Sequence, residues 1–125
     1  MTRRRRPGDD TGQATVELAL ALPAVLLALL AVVQAGLVVA DHVGTVHVAR
    51  EAARAVAVDG RPGVAQAAVA DAGGEGCSTA VSRPAEVGAT LTVTVTCPSR
   101  TEVPLVGALV ADVAVRGQAS MRVER

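Results

Sequence analysis

Gly12-Gln13-Ala14-Thr15-Val16-Glu17 leads directly into Leu18–Ala40, a run of 23 residues in which Gln34 is the sole polar side chain. At about 1.5 Å per residue, a helix of that length crosses the roughly 30 Å hydrocarbon core of a bilayer. The run is long for a secretory signal, and no small-x-small cleavage site follows it, so the segment is expected to stay with the protein. Arg3 to Arg6 precede it and Asp41 opens the other flank. By the positive-inside rule the N-terminus lies in the cytoplasm and the chain after Asp41 outside, in a single-pass protein of the cytoplasmic membrane. The arginine run reads as a topology signal rather than a nucleic-acid or lipid-recognition element.

Glu17 is the unusual residue. A carboxylate well inside a bilayer costs roughly 2.5 to 3.5 kcal/mol on insertion scales, whereas one at a helix start is favoured by the positive end of the dipole. A cut after Gly12 creates a second option, because Gln13 then carries a new ammonium. A neighbouring copy's ammonium about 4 Å from Glu17 attracts it by ~4 kcal/mol at an effective dielectric near 20. Gln13 and Glu17 also share a helix face at i and i+4, so the amine has the alternative of closing back on its own chain. The sequence leaves these options open.

Farther along, Pro23 lacks the N–H that would bond the carbonyl of Ala19, which predicts a kink or a loosened turn. Ala24, Ala28, Ala31 and Ala35, then Gly36 and Ala40, are small enough to let another helix approach closely. Generic bundle packing follows from this composition more readily than a specific dimer seam.

The helical pattern continues beyond the span through Val46, Ala49, Ala53, Val56 and Ala57 to a stop at Asp59-Gly60. It predicts one helix from about Ala14 to about Val58, amphipathic in its second half. Pro62 offers an N1 residue for a short helix over Val64 to Ala72, ended by Gly73-Gly74. Ala89–Cys97 alternates strictly, with Leu91, Val93, Val95 and Cys97 on one face and threonines on the other. A second alternation covers Val113–Val123, with Gly117 as a candidate bulge. The uncharged stretch 103–110 reads as a short turn of helix packed on the domain, with contact to membrane or a partner as its alternative.

The fold expected is therefore α+β: residues 1–12 a leader, 13–60 a long helix spanning the membrane at about 18–40, and 61–125 a small exported domain with a short helix and an antiparallel sheet. The chain has 125 residues and no Phe, Tyr or Trp, so its core is built from Val, Leu and Ala. A unit of this size rarely obtains more than roughly 3 to 5 kcal/mol from one core without a staple or a partner. Cys77 and Cys97, the only cysteines, fall on the oxidising side of the expected topology. A bridge between them is favoured over two free thiols or a metal site, and is worth ~3 kcal/mol on the chain-entropy model.

Twelve arginines balance twelve acidic residues, leaving no basic field or base-stacking aromatics for a nucleic-acid partner. His47 and Glu51 share a helix face near His42 and Asp41, but there is no H-E-x-x-H motif and no third ligand at firm spacing, which reads as a solvated face. Ser78, Ser82, Ser99 and Ser120 lack a G-x-S-x-G context, and no phosphate loop is present. No enzyme, metal, cofactor or small-molecule substrate is expected.

Gly12 to Glu17 with the apolar helix resembles the prepilin peptidase site of type IV pilins. The resemblance implies that Gly12 is the last leader residue, Gln13 the new and usually methylated terminus, and Glu17 the acid that helps subunits enter the filament. Gln13 departs from the phenylalanine usual in major pilins. The stretch from Gly12 to Pro23 (GQATVELALALP), Ala49 to Ala55 (AREAARA) and the terminal ASMRVE at 119–124 further resemble TadE-family proteins. That implies a minor pilin or pseudopilin of a tight-adherence pilus, with prepilin peptidase, other pilin subunits, the assembly machinery and the membrane as partners, and with adhesion at the cell surface as its setting. A permanently anchored, non-polymerising adaptor of an envelope complex is the alternative.

Overall fold

The computed structural model describes residues 9–99, 103 and 112–124. Arg3 to Arg6 and all of the 103–110 stretch except Val103, which is buried, lie outside the described residues. The elements are α1 (Asp9–Val58), α2 (Val64–Asp71), β1 (Ser78–Ser82), β2 (Thr90–Ser99) and β3 (Val113–Arg122). The strands form one antiparallel sheet in the order β1-β2-β3.

α1 is a single 50-residue helix with two environments. It starts at Asp9, five residues before the expected start, and so runs through Gly12. One interior glycine costs only about 1 kcal/mol. From Val16 to Val43 its apolar side chains are largely bare, with Leu20 73% and Val32 69% exposed. Beyond that point the same helix becomes part of the domain core, where Ala49, Ala52 and Ala53 have no exposed surface. The expected boundary at 60 therefore separates chain segments, whereas the packed unit begins near Thr45.

Alternation places Leu91, Val93 and Val95 of β2 against this alanine stripe, all three fully buried, with Val115 and Val123 beside them. Alanine keeps the helix close to the sheet, and the closest approach is at Gly117. A Cβ there would lie 2.7 Å from the carbonyl carbon and oxygen of Thr45. Gly117 is not a bulge: it pairs with Val95 in an uninterrupted register from Thr90↔Arg122 to Ser99↔Val113. Lack of a side chain is needed for contact with α1, not to break the ladder.

β1 was not anticipated. Its five residues are mostly exposed, and only Thr79 and Val81 pair with inward-facing β2 residues. Gln66 ties α2 to it, donating from Nε2 to the Cys77 carbonyl at 3.1 Å and accepting from Thr79 Oγ1 at 2.9 Å. The short helix begins at Val64, as expected, but its N-cap is Gly63, at φ 87°, so Pro62 lies before the helix rather than at its first position. Its other end is a Schellman motif, in which Gly73 adopts φ 85°, Gly74 N–H bonds the Val69 carbonyl and Gly73 N–H bonds that of Ala70.

The C-terminus of α1 contains no basic residue of its own. Its last carbonyls are met from elsewhere: Arg83 Nε donates to Val56 O at 3.1 Å and Glu124 N–H to Ala57 O at 3.0 Å. These bonds attach the loop after β1 and the end of β3 to the helix.

Candidate assembly segment and its support

Gly12, Gln13, Glu17 and Pro23 all lie on the bare half of α1. Around Gly12, a Cβ would meet nothing within 4 Å. Gln13 and Glu17 are both exposed. Their side chains meet one turn apart, with Gln13 Nε2 donating to Glu17 Oε1 at 3.1 Å. In the uncut chain it is therefore the carboxamide of Gln13, rather than an α-amine, that engages the acid. An exposed i,i+4 pair of this kind contributes about 0.2 to 0.5 kcal/mol, little enough for a stronger partner to displace.

α1 continues without a break through Pro23, whose ring nitrogen offers no proton to the carbonyl of Ala19. Farther along, Gln34 is only 8% exposed and its Oε1 has no hydrogen-bond partner among the described residues. An unsatisfied buried carboxamide oxygen costs on the order of 1 to 3 kcal/mol.

Where the bare half of the helix ends, Asp41 joins it to the sheet. Ser99 Oγ, at the end of β2, donates to Asp41 Oδ2 at 2.5 Å, and Thr45 Oγ1 donates to the Asp41 carbonyl at 2.8 Å. Two residues before Ser99, Cys97 is bonded to Cys77, with a Cα–Cα distance of 4.2 Å and a sequence separation of 20. The bridge links the end of β2 to the turn entering β1. The sheet end nearest the membrane span is thus fixed to α1 by a hydrogen bond and to the preceding chain by a covalent link. Neither the role of Asp41 nor that of Ser99 was foreseen; a hydroxyl two residues after a strand cysteine is too common to signal such a contact.

At the opposite end, Asp59 and Arg61 form an ion pair across the turn, Nη2 to Oδ2 at 2.5 Å. The hydrogen bonds from Arg61 hold the Asp59 carboxyl below its ordinary range, and Asp59 in turn raises the guanidinium of Arg61. His42, His47 and Glu51 are exposed, and among the described residues no three His, Cys, Asp or Glu side chains gather as a metal site.

The architecture defines an α+β protein with one N-terminal helix long and apolar enough to cross a membrane and a small disulfide-linked domain packed on that helix's far half. A family model described as TadE-like protein matches residues 12–54. Over that segment the chain is similar to TadE-like proteins. The match takes in Gly12, Gln13, Glu17, Pro23, the whole bare helix and the first core-facing turns, and stops before the sheet. No curated protein and no solved structure matches the chain.

Proposed function

We infer that the chain is a minor pilin or pseudopilin of a tight-adherence pilus, anchored with its N-terminus in the cytoplasm and its domain outside, cut by prepilin peptidase after Gly12 and assembled through α1. The observation that carries this reading is an exposed carboxylate, Glu17, five residues past an open glycine at the start of a bare apolar helix, within the TadE-like segment. In the membrane, lipid covers that helix; in an assembly, neighbouring copies or other pilin subunits replace lipid. The new ammonium of one copy's Gln13 then displaces the weak carboxamide contact and pairs with the Glu17 of the next, fixing axial register. The work is structural rather than catalytic.

A Glu17→Ala chain tests this directly. It is expected to insert and be cut normally, yet to be missing from the surface material released by shearing. Normal incorporation of that variant removes Glu17 from the role. A wild-type chain that stays wholly with the membrane fraction supports a non-polymerising adaptor instead.

A further inference from the structure

Gln13 has a chemistry of its own once it becomes the first residue, an inference that rests on the cleavage after Gly12 proposed above. An N-terminal glutamine holds its α-amine and its side-chain Cδ in one residue, at the spacing that closes a five-membered ring. Intramolecular attack of this kind has effective molarities of roughly 10⁵ M and higher when well oriented. Here the leaving nitrogen is already in contact with a proton carrier: Gln13 Nε2 lies 3.1 Å from Glu17 Oε1. Both side chains are exposed, and the position of residue 12 is uncrowded.

We propose that Gln13 of the cut chain is a modification site that cyclises to pyroglutamate, with Glu17 carrying the proton. The neutral α-amine forms a bond to Cδ. The Glu17 carboxylate takes a proton from the attacking nitrogen of the tetrahedral adduct and returns one to Nε2. The Cδ–Nε2 bond breaks and ammonia leaves, with no oxidant, reductant or second substrate consumed. Ring closure removes the positive charge that a neighbour's Glu17 needs and leaves only a neutral lactam N–H. Cut subunits are thereby divided into a charged population that can pair with a neighbour and a neutral one that has lost the ammonium. Pairing protects the first population, because an amine held as ammonium against a carboxylate is not nucleophilic.

The test is the intact mass of the full chain purified from membranes, combined with Edman sequencing before and after pyroglutamyl aminopeptidase. The expected species begins at Gln13, lacks the mass of one ammonia, is blocked to sequencing and is opened by the peptidase. A chain that begins at Gln13 with a free or methylated amine overturns the cyclisation and leaves the cleavage intact. One that retains Met1 or Thr2 overturns both. For the proton carrier, cut chain in detergent is followed for loss of ammonia in the wild type and in Glu17→Gln. A fall in rate of roughly tenfold or more is expected from losing general acid–base help, and equal rates remove Glu17 from the step.

Discussion

Replacing Gly117 by alanine tests the packing that joins the sheet to the membrane helix. The added Cβ would sit 2.7 Å from the carbonyl carbon and oxygen of Thr45 and 2.8 Å from the amide nitrogen of Val46. All three are backbone atoms in the middle of α1, so relief requires moving β3 away from the helix rather than turning a side chain. Overpacking of a well-packed core costs typically 1 to 3 kcal/mol, and rigid backbone neighbours put this case at about 2 to 3. The same position contributes to a core that supplies only roughly 3 to 5 kcal/mol on its own. For a domain of this size about 1 kcal/mol moves the midpoint by roughly 4 to 8 °C, so Gly117→Ala is expected to lower it by on the order of 10 °C or more. The assay is thermal protection of β2 and β3 amides from hydrogen exchange, on the full chain in detergent, which reports the domain separately from the membrane helix. Gly44→Ala is the control: the site is open on an exposed helix face, and alanine there is expected to be neutral or to stabilise by about 0.5 to 1 kcal/mol. Equal stability of Gly117→Ala and wild type would refute the close approach.

Three further outcomes follow from the same geometry. Cys97→Ser, or reduction of the wild type, opens the Cys77–Cys97 link and is expected to cost about 3 kcal/mol, read as a lower denaturant midpoint with little change in α1 helicity by circular dichroism. Gly74→Ala places a Cβ 2.6 Å from Val69 Cγ1 and 2.9 Å from the Val69 carbonyl oxygen, so it is expected to loosen the end of α2; a limited-proteolysis pattern unchanged around residues 69–77 would contradict that. Arg61→Ala removes the hydrogen bonds that depress Asp59, and carboxyl titration followed by NMR is expected to return Asp59 toward its ordinary value of 3.8. Because the Asp59 carboxyl is lowered, the stabilisation it lends the turn is present above the unfolded-state pKa and is lost as pH falls through the folded one, and Arg61→Ala should weaken that acid-side dependence, leaving the smaller part due to Arg83.

The long helix was legible because its determinants are local. The apolar run, the alanine stripe with period near 3.6 and the Asp59-Gly60 stop each act within a few residues. Strict alternation likewise announced β2, and the two cysteines met as their compartment suggested. What escaped depends on contacts between distant segments. β1 carries only Thr79 and Val81 toward the core, too short a pattern to stand out, and it becomes a strand because β2 offers it a ladder. Gly117 looked like a bulge because the sequence shows that a side chain is missing but not which backbone occupies its place. Arg83 and Glu124, which satisfy the end of α1, lie 27 and 67 residues from the carbonyls they bond. Within the candidate assembly segment, Gln13 and Glu17 were recognisable from their i,i+4 spacing, but that spacing does not show that the carboxamide of Gln13 is the group that meets Glu17.

Processing after Gly12 is tested most directly by the mass of the membrane-derived chain from cells with and without prepilin peptidase. With the peptidase present, the chain is predicted to lose residues 1–12 and begin at Gln13, in free or cyclised form; without it, the N-terminal arginines remain. A chain whose first residue is Met1 or Thr2 in both preparations, or one that begins beyond Ala40, would contradict it.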